Sequence, residues 1–134
     1  MDKFEKSFSR FEKAFEKYKE ILKSPHLFSF LNKELITEIA TKRFEYTYES
    51  MWKALKEYLR KKGIECNSPL SCFKQAFKEG LINENDEELF GKLIEIRNLL
   101  IHIYDEETAE KLYRQINKKN IFEAINNLIK NMKS

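Results

Sequence analysis

Phe4, Phe8, Phe11, Phe15, Tyr18 and Leu22 recur at alternating intervals of four and three residues, and charged residues fill nearly everything between them. An α-helix, at about 3.6 residues per turn, gathers that spacing onto one side. A chain that opens with about six turns of such a helix must bury the stripe against further elements. Strands are poor candidates for those elements. Three Gly and two Pro leave few turn-formers, and Lys, Glu, Leu, Ile and Phe dominate, as a set of amphipathic helices requires. The expected fold is all-α.

The rest of the chain supplies the partners. Ser24-Pro25 ends the first helix, because proline disfavours helical geometry in the residue before it. A second pattern runs from about Asn32 to Lys62 through Leu35, Ile36, Ile39, Phe44, Tyr48, Met51, Trp52, Leu55, Tyr58 and Leu59. Its apolar positions occupy more than one side, which predicts a central helix, closed by Gly63. Ser68-Pro69 reads as an N-cap with proline at the first helical position, and Gly80 stops that short helix. Leu70, Phe73 and Phe77 form its expected buried face, with Ala76 beside them. Asn85 or Asp86 is the expected cap of a fourth helix running to about Tyr104, and two shorter helices follow, near Glu106–Gln115 and Lys119–Met132. With no internal repeat or long linker, residues 1–134 read as one domain.

A net charge of +3, from 25 basic and 22 acidic residues, is too small to imply nucleic-acid binding on its own. The clusters Arg60-Lys61-Lys62 and Lys118-Lys119 are adequately explained as solvated helix ends. Cys66 and Cys72 lack a second Cys pair or a His cluster to complete a zinc site, so the expectation is two reduced thiols and no metal. No apolar run reaches the roughly 18 residues of a spanning helix, and no signal-peptide pattern opens the chain. A cytoplasmic protein with no membrane partner and no cofactor is expected.

The fourth helix carries the residues of most chemical interest. Leu89, Leu93, Ile96, Leu99, Leu100 and Ile103 make one broad apolar face, the expected core. A second stripe, Phe90, Ile94, Arg97, Ile101 and Tyr104, lies about a quarter-turn away and predicts a second packing partner, such as another copy of the chain. Arg97 sits in that stripe and calls for an anion, because a guanidinium stays charged and is costly to bury unpaired. A carboxylate from Glu45 or Glu49 would serve, and so would a phosphate; structural ion pairs are the commoner occupants of such positions. His102 is one of two histidines, the other being His26 in the loop after Pro25. Asn98, one turn earlier, is placed to orient its ring. On an ideal helix Arg97 and His102 diverge by about 140°, so only a cleft or a two-fold axis would aim both at one atom.

These residues are familiar as a set. Arg97-x4-His102-x-Tyr104 resembles the signature of the HEPN superfamily, in the branch paired with minimal nucleotidyltransferases. The helix Lys42-Arg43-Phe44-Glu45-Tyr46-Thr47-Tyr48-Glu49-Ser50-Met51-Trp52-Lys53-Ala54-Leu55-Lys56 is similar to that branch's second conserved stretch. Further similarity lies in Ser68-Pro69 through Ile82 and in Asp105-Glu106-Glu107-Thr108-Ala109, so the likeness covers about residues 4 to 130. It implies an up-and-down four-helix bundle with short extra helices, usually a homodimer, of the kind called nucleotidyltransferase substrate-binding protein.

The resemblance also implies roles. Arg97 would hold a scissile RNA phosphate, and His102 would act as general acid or base for attack by the 2′-hydroxyl, without a metal. Asn98 would support them. Tyr104 would accept AMP from the partner nucleotidyltransferase, which acts as antitoxin to a ribonuclease toxin. Apart from the resemblance, Arg43, Glu45, Tyr46 and Glu49 on the second helix are candidates to line the cleft opposite Arg97, although Tyr46 and Tyr48 read equally well as bundle packing. The alternative the resemblance leaves open is a non-catalytic subunit that binds nucleotide or substrate, or scaffolds the transferase.

Overall fold

The computed structural model, described for residues 1–23, 31–102 and 105–134, is an all-α bundle. Helix α1 spans Lys3–Lys23, α2 Lys33–Lys61, α3 Pro69–Lys78, α4 Glu87–Leu100, α5 Glu106–Ile116 and α6 Lys119–Lys133, with a 3-10 turn at Glu84–Asp86 before α4. No strand occurs among the described residues.

Helices α1 and α2 run antiparallel. At one end Lys61 Nζ meets Asp2 Oδ2 at 2.9 Å, and the Phe4 and Tyr58 rings pack edge-on at 5.5 Å. At the other, Arg43 donates to the Lys17 carbonyl at 2.8 Å. α2 also packs against α3, α4 and α5, the central position its many-sided apolar pattern predicts. Helix α6 closes over α1 through Phe122, whose ring lies 5.0 Å from Tyr18 and 6.4 Å from Phe15. The α1 stripe is core: Phe11, Phe15 and Tyr18 are essentially sealed from solvent. Each such aromatic side chain contributes about 2–3 kcal/mol of apolar transfer energy. The Tyr18 hydroxyl, buried with its ring, donates to the Ile116 carbonyl at the end of α5.

Short polar side chains start four of the helices, Asp2 Oδ1 accepting the Glu5 amide at 2.7 Å at the start of α1. Asn32 Oδ1 accepts the Leu35 amide at 2.8 Å, Ser68 Oγ the Ser71 amide at 3.1 Å, and Asp105 Oδ1 the Thr108 amide at 2.7 Å. Gly63 and Gly80 follow α2 and α3 with φ of 81° and 77°, left-handed geometry that glycine adopts without a Cβ clash.

Four expectations are corrected. Asp86 makes no cap hydrogen bond, because the 3-10 turn has already drawn it into helical geometry at φ −101° and ψ −6°. α4 ends at Leu100, where the His102 amide turns back to the Leu99 carbonyl at 3.0 Å. Leu70 and Leu99, expected in the core, are 50% and 52% exposed; Leu70 sits in the first turn of α3, at its edge, and Leu99 faces away from Leu93, Ile96 and Leu100. Cys66 and Cys72 are joined by a disulfide, because the loop before α3 brings their Cα atoms to 5.1 Å. The Ser24-Pro25 stop, His26, Ile103 and Tyr104 lie outside the described residues.

The second stripe of α4 divides. Phe90 is buried within the chain, 5.2 Å from the Phe73 ring, so α3 is the second packing partner at this end. Toward the other end Ile101 is 54% exposed. Among the described residues no helix is long and apolar enough to cross a membrane.

Candidate functional site

Arg97 projects from the last turn of α4 toward the middle of α2. Of the two carboxylates the sequence offers, Glu49 meets it: Oε1 stands 3.5 Å from Nε. The other oxygen of Glu49 accepts the Trp52 indole N–H at 3.1 Å. One carboxylate is thus fixed from both sides, by a cation and by a neutral donor three residues along its own helix. Arg97 and Glu49 are each partly open to solvent, with side-chain exposures of 28% and 38%, so the pair screens a charge that water and solutes still reach.

Tyr48 forms the buried floor beside this pair. It packs against Phe44 and Phe73, and burial pushes its phenol up to about 12, with the neighbouring Glu49 adding to the shift and Arg97 opposing it. It stays a neutral phenol at physiological pH.

The other sequence candidates are spread more widely. Asn98 and His102 are exposed, and neither makes a side-chain hydrogen bond to another described residue. The expected hydrogen bond between the Asn98 side chain and the His102 ring is not made in this structure; α4 ends between the two residues, and the His102 amide turns back to the Leu99 carbonyl. Glu45 lies 3.9 Å from Lys42 on its own helix. Arg43, about 120° around α2 from Glu49, turns to α1, where it meets the Lys17 carbonyl at 2.8 Å and Glu20 at 3.8 Å. Tyr46 is 58% exposed between these two sides of α2, with Lys42 Nζ 5.6 Å from its ring centroid. Of the four cleft residues, therefore, Glu49 alone is placed against Arg97.

The apolar pattern of α2 counts Trp52 with the core. Its ring is instead half-buried and belongs to the site through Glu49. The clue is its spacing, since a residue three positions after a carboxylate shares its helix face.

A cavity of about 600 Å³ adjoins the end of α4, between the start of α2 and α5. Its lining includes Leu100, Glu34, Glu38, Asp105, Glu106 and Glu110. Lys33 in the same wall pairs with Glu110, and Arg97 is not among the lining residues. Among the described residues no group of three or more His, Cys, Asp or Glu side chains is placed to hold a metal ion.

No functionally curated protein matches the chain in sequence. A crystal structure of a protein from Thermus thermophilus is similar in fold, with a TM-score of 0.78 and 29% identity over 92% of this chain and 99% of that one. The family model described as "Nucleotidyltransferase substrate binding protein like" matches residues 1–134 from end to end, and the chain belongs to that family.

Proposed function

We propose that this chain is the HEPN-type partner of a minimal nucleotidyltransferase and acts as a metal-independent endoribonuclease toxin, with Arg97 and His102 as its catalytic pair. The observation that carries the reading is the position of Arg97: a partly open guanidinium whose only described ion pair is with Glu49, five residues from an exposed imidazole. In the reaction Arg97 holds the scissile phosphate and stabilises its developing charge. His102 takes the proton of the 2′-hydroxyl as that oxygen attacks phosphorus, or returns one to the departing 5′-oxygen. Asn98 supports the phosphate or the ring, and Tyr104 accepts AMP from the transferase, which silences the site.

A homodimer fits the same reading. Leu99 and Ile101 leave two large apolar side chains in water within the signature, between Arg97 and His102, as a surface awaiting a second copy does. Two copies would also supply two histidines and two arginines to one cleft. In this reading the protein works in the cytoplasm, beside its RNA and its partner.

A second reading is favoured by the Glu49 pair itself. A carboxylate already seated on Arg97 suits a subunit that binds and releases a nucleotide, or presents a substrate to the transferase, without cutting it. The deciding experiment is induction of the wild-type chain beside Arg97→Ala and His102→Ala, with growth and RNA integrity followed and cleavage repeated in chelator. Arrest and cutting by the wild type alone, undiminished by chelator, support the nuclease. A harmless wild type that leaves RNA intact overturns it in favour of the binding subunit.

A further inference from the structure

Helix α1 segregates its surface charge. Lys3, Lys6, Arg10, Lys13 and Lys17 follow one another at intervals of three and four, so they share one edge of the helix within a sector of about 80°. All five are exposed, and none is in an ion pair with another described residue. The remaining charges of α1 are mostly committed. Glu12 pairs with Lys133 at 3.0 Å, Glu16 with Lys19 at 2.8 Å and Glu20 with Arg43 at 3.8 Å. Lys19 and Lys23 lie over the Phe15 and Phe122 rings. Neutralisation elsewhere on α1 leaves about one uncompensated cation per turn along roughly 21 Å of helix.

This row borders a groove of about 820 Å³ on the outer side of α1, whose lining includes Arg10, Lys13, Lys17, Arg43 and Tyr46; its two carboxylates, Glu12 and Glu16, are paired with Lys133 and Lys19. Arg43 is held at the rim by α1, and Tyr46 presents an exposed ring with Lys42 near its face. A line of cations beside an accessible aromatic ring suits single-stranded nucleic acid, which needs phosphate neutralisation and a stacking platform. An acidic protein surface would use the cations but has no need of the ring.

We propose that the α1–α2 groove binds single-stranded nucleic acid, the α1 cations tracking its phosphates and Tyr46 stacking a base. The proposal needs binding only, so it stands apart from whether Arg97 and His102 cut RNA. Tyr46 lies about 60° around α2 from Glu49, which places the groove beside the Arg97 site and gives a bound strand a path toward it.

The test is fluorescence anisotropy with a labelled 2′-O-methyl oligouridylate of about 20 nucleotides, whose blocked hydroxyls prevent cleavage, titrated over a range of salt. The variant combining Lys6→Gln, Arg10→Gln, Lys13→Gln and Lys17→Gln should bind at least about 10-fold more weakly and lose about 3 from the log–log salt slope. Tyr46→Ala should weaken binding about 10-fold with the slope unchanged. A control carrying Lys74→Gln, Lys78→Gln, Lys92→Gln and Lys118→Gln removes the same charge elsewhere and should stay within about 3-fold of wild type; circular dichroism checks that all variants fold. Wild-type-like binding by the α1 variant, or an equal loss in the control, overturns the proposal. Silence of Tyr46→Ala together with equal competition by poly-glutamate overturns it in favour of an acidic protein partner. The 2′-O-methyl probe reads the groove without cleavage, and cleavage of unmodified RNA by the wild type is read in a second assay, so failure of the groove and failure of the nuclease reading are separated.

Discussion

Glu49 holds Arg97 with one carboxylate oxygen and the Trp52 indole with the other, at 3.5 Å and 3.1 Å. An anion seated on the Nε edge of Arg97 displaces that oxygen and so disturbs the indole hydrogen bond. Trp52 is the only tryptophan in the chain, so its fluorescence reports the event without a label. Glu49→Gln removes the competing charge and keeps a hydrogen-bond acceptor for Trp52. Because the pair is partly exposed and worth at most about 1 kcal/mol, pyrophosphate or AMP is expected to bind roughly 3–5-fold more tightly to the variant, and Arg97→Ala to abolish the response. Equal affinity for wild type and Glu49→Gln would place the anion seat elsewhere.

A second expectation concerns alkaline unfolding. Burial raises the Tyr48 phenol from 10.0 to about 12, and the buried Tyr18 is raised as well. Between those values the unfolded chain has released the Tyr48 proton while the folded chain still holds it. Stability from this group is therefore complete below about pH 10 and falls as pH rises toward 12. The loss amounts to roughly 2–3 kcal/mol. Urea unfolding at pH 9, 10 and 11 should show a shallower decline for Tyr48→Phe than for wild type, and parallel curves would refute the assignment.

The third expectation follows from the Cys66–Cys72 bond. Closing so short a loop restricts the unfolded chain by roughly 2 kcal/mol. Cys66→Ser with Cys72→Ser should lower unfolding stability by about that amount. Strong reductant should do the same to the wild type and nothing further to the variant; a wild type indifferent to reductant would mean the bond is not formed in solution.

Much of this fold is legible in the sequence because helices announce themselves locally. The α1 stripe, the Ser68-Pro69 start and the glycines at 63 and 80 are each read from a few neighbouring residues, and the structure places each as expected. What is not legible depends on contacts distant in sequence or on the path of loops. Nothing in the spacing of Cys66 and Cys72 shows that the loop folds back to within 5.1 Å. Phe90 groups with a surface stripe by periodicity, yet Phe73 of α3 covers it. No Gly or Pro marks the end of α4 before Tyr104, whereas the Asp105 cap of the next helix leaves only a short link. The site is legible in part. Arg97 and Glu49 pair as one of the two expected arrangements, but hydrophobicity alone hides the polar role of Trp52, and Arg43 belongs to the α1 side of α2 rather than to the cleft.

The last expectation addresses the outer side of α4. Gly91 lies inside this helix, and a Cβ built on it meets nothing within 4 Å. Glycine in a helix interior is less favourable than alanine by about 0.5–1 kcal/mol, mainly through the freedom of the unfolded chain. If this side of α4 faces solvent in the working protein, Gly91→Ala should raise unfolding stability by that amount at every protein concentration. If a second copy packs its backbone closely there, the added methyl must push it away. The variant would then be less stable than wild type at high concentration and would sediment as a smaller species. Urea unfolding at two concentrations, with sedimentation of both proteins, distinguishes a dimer seam over Gly91 from one confined to the Leu99 and Ile101 end of the helix.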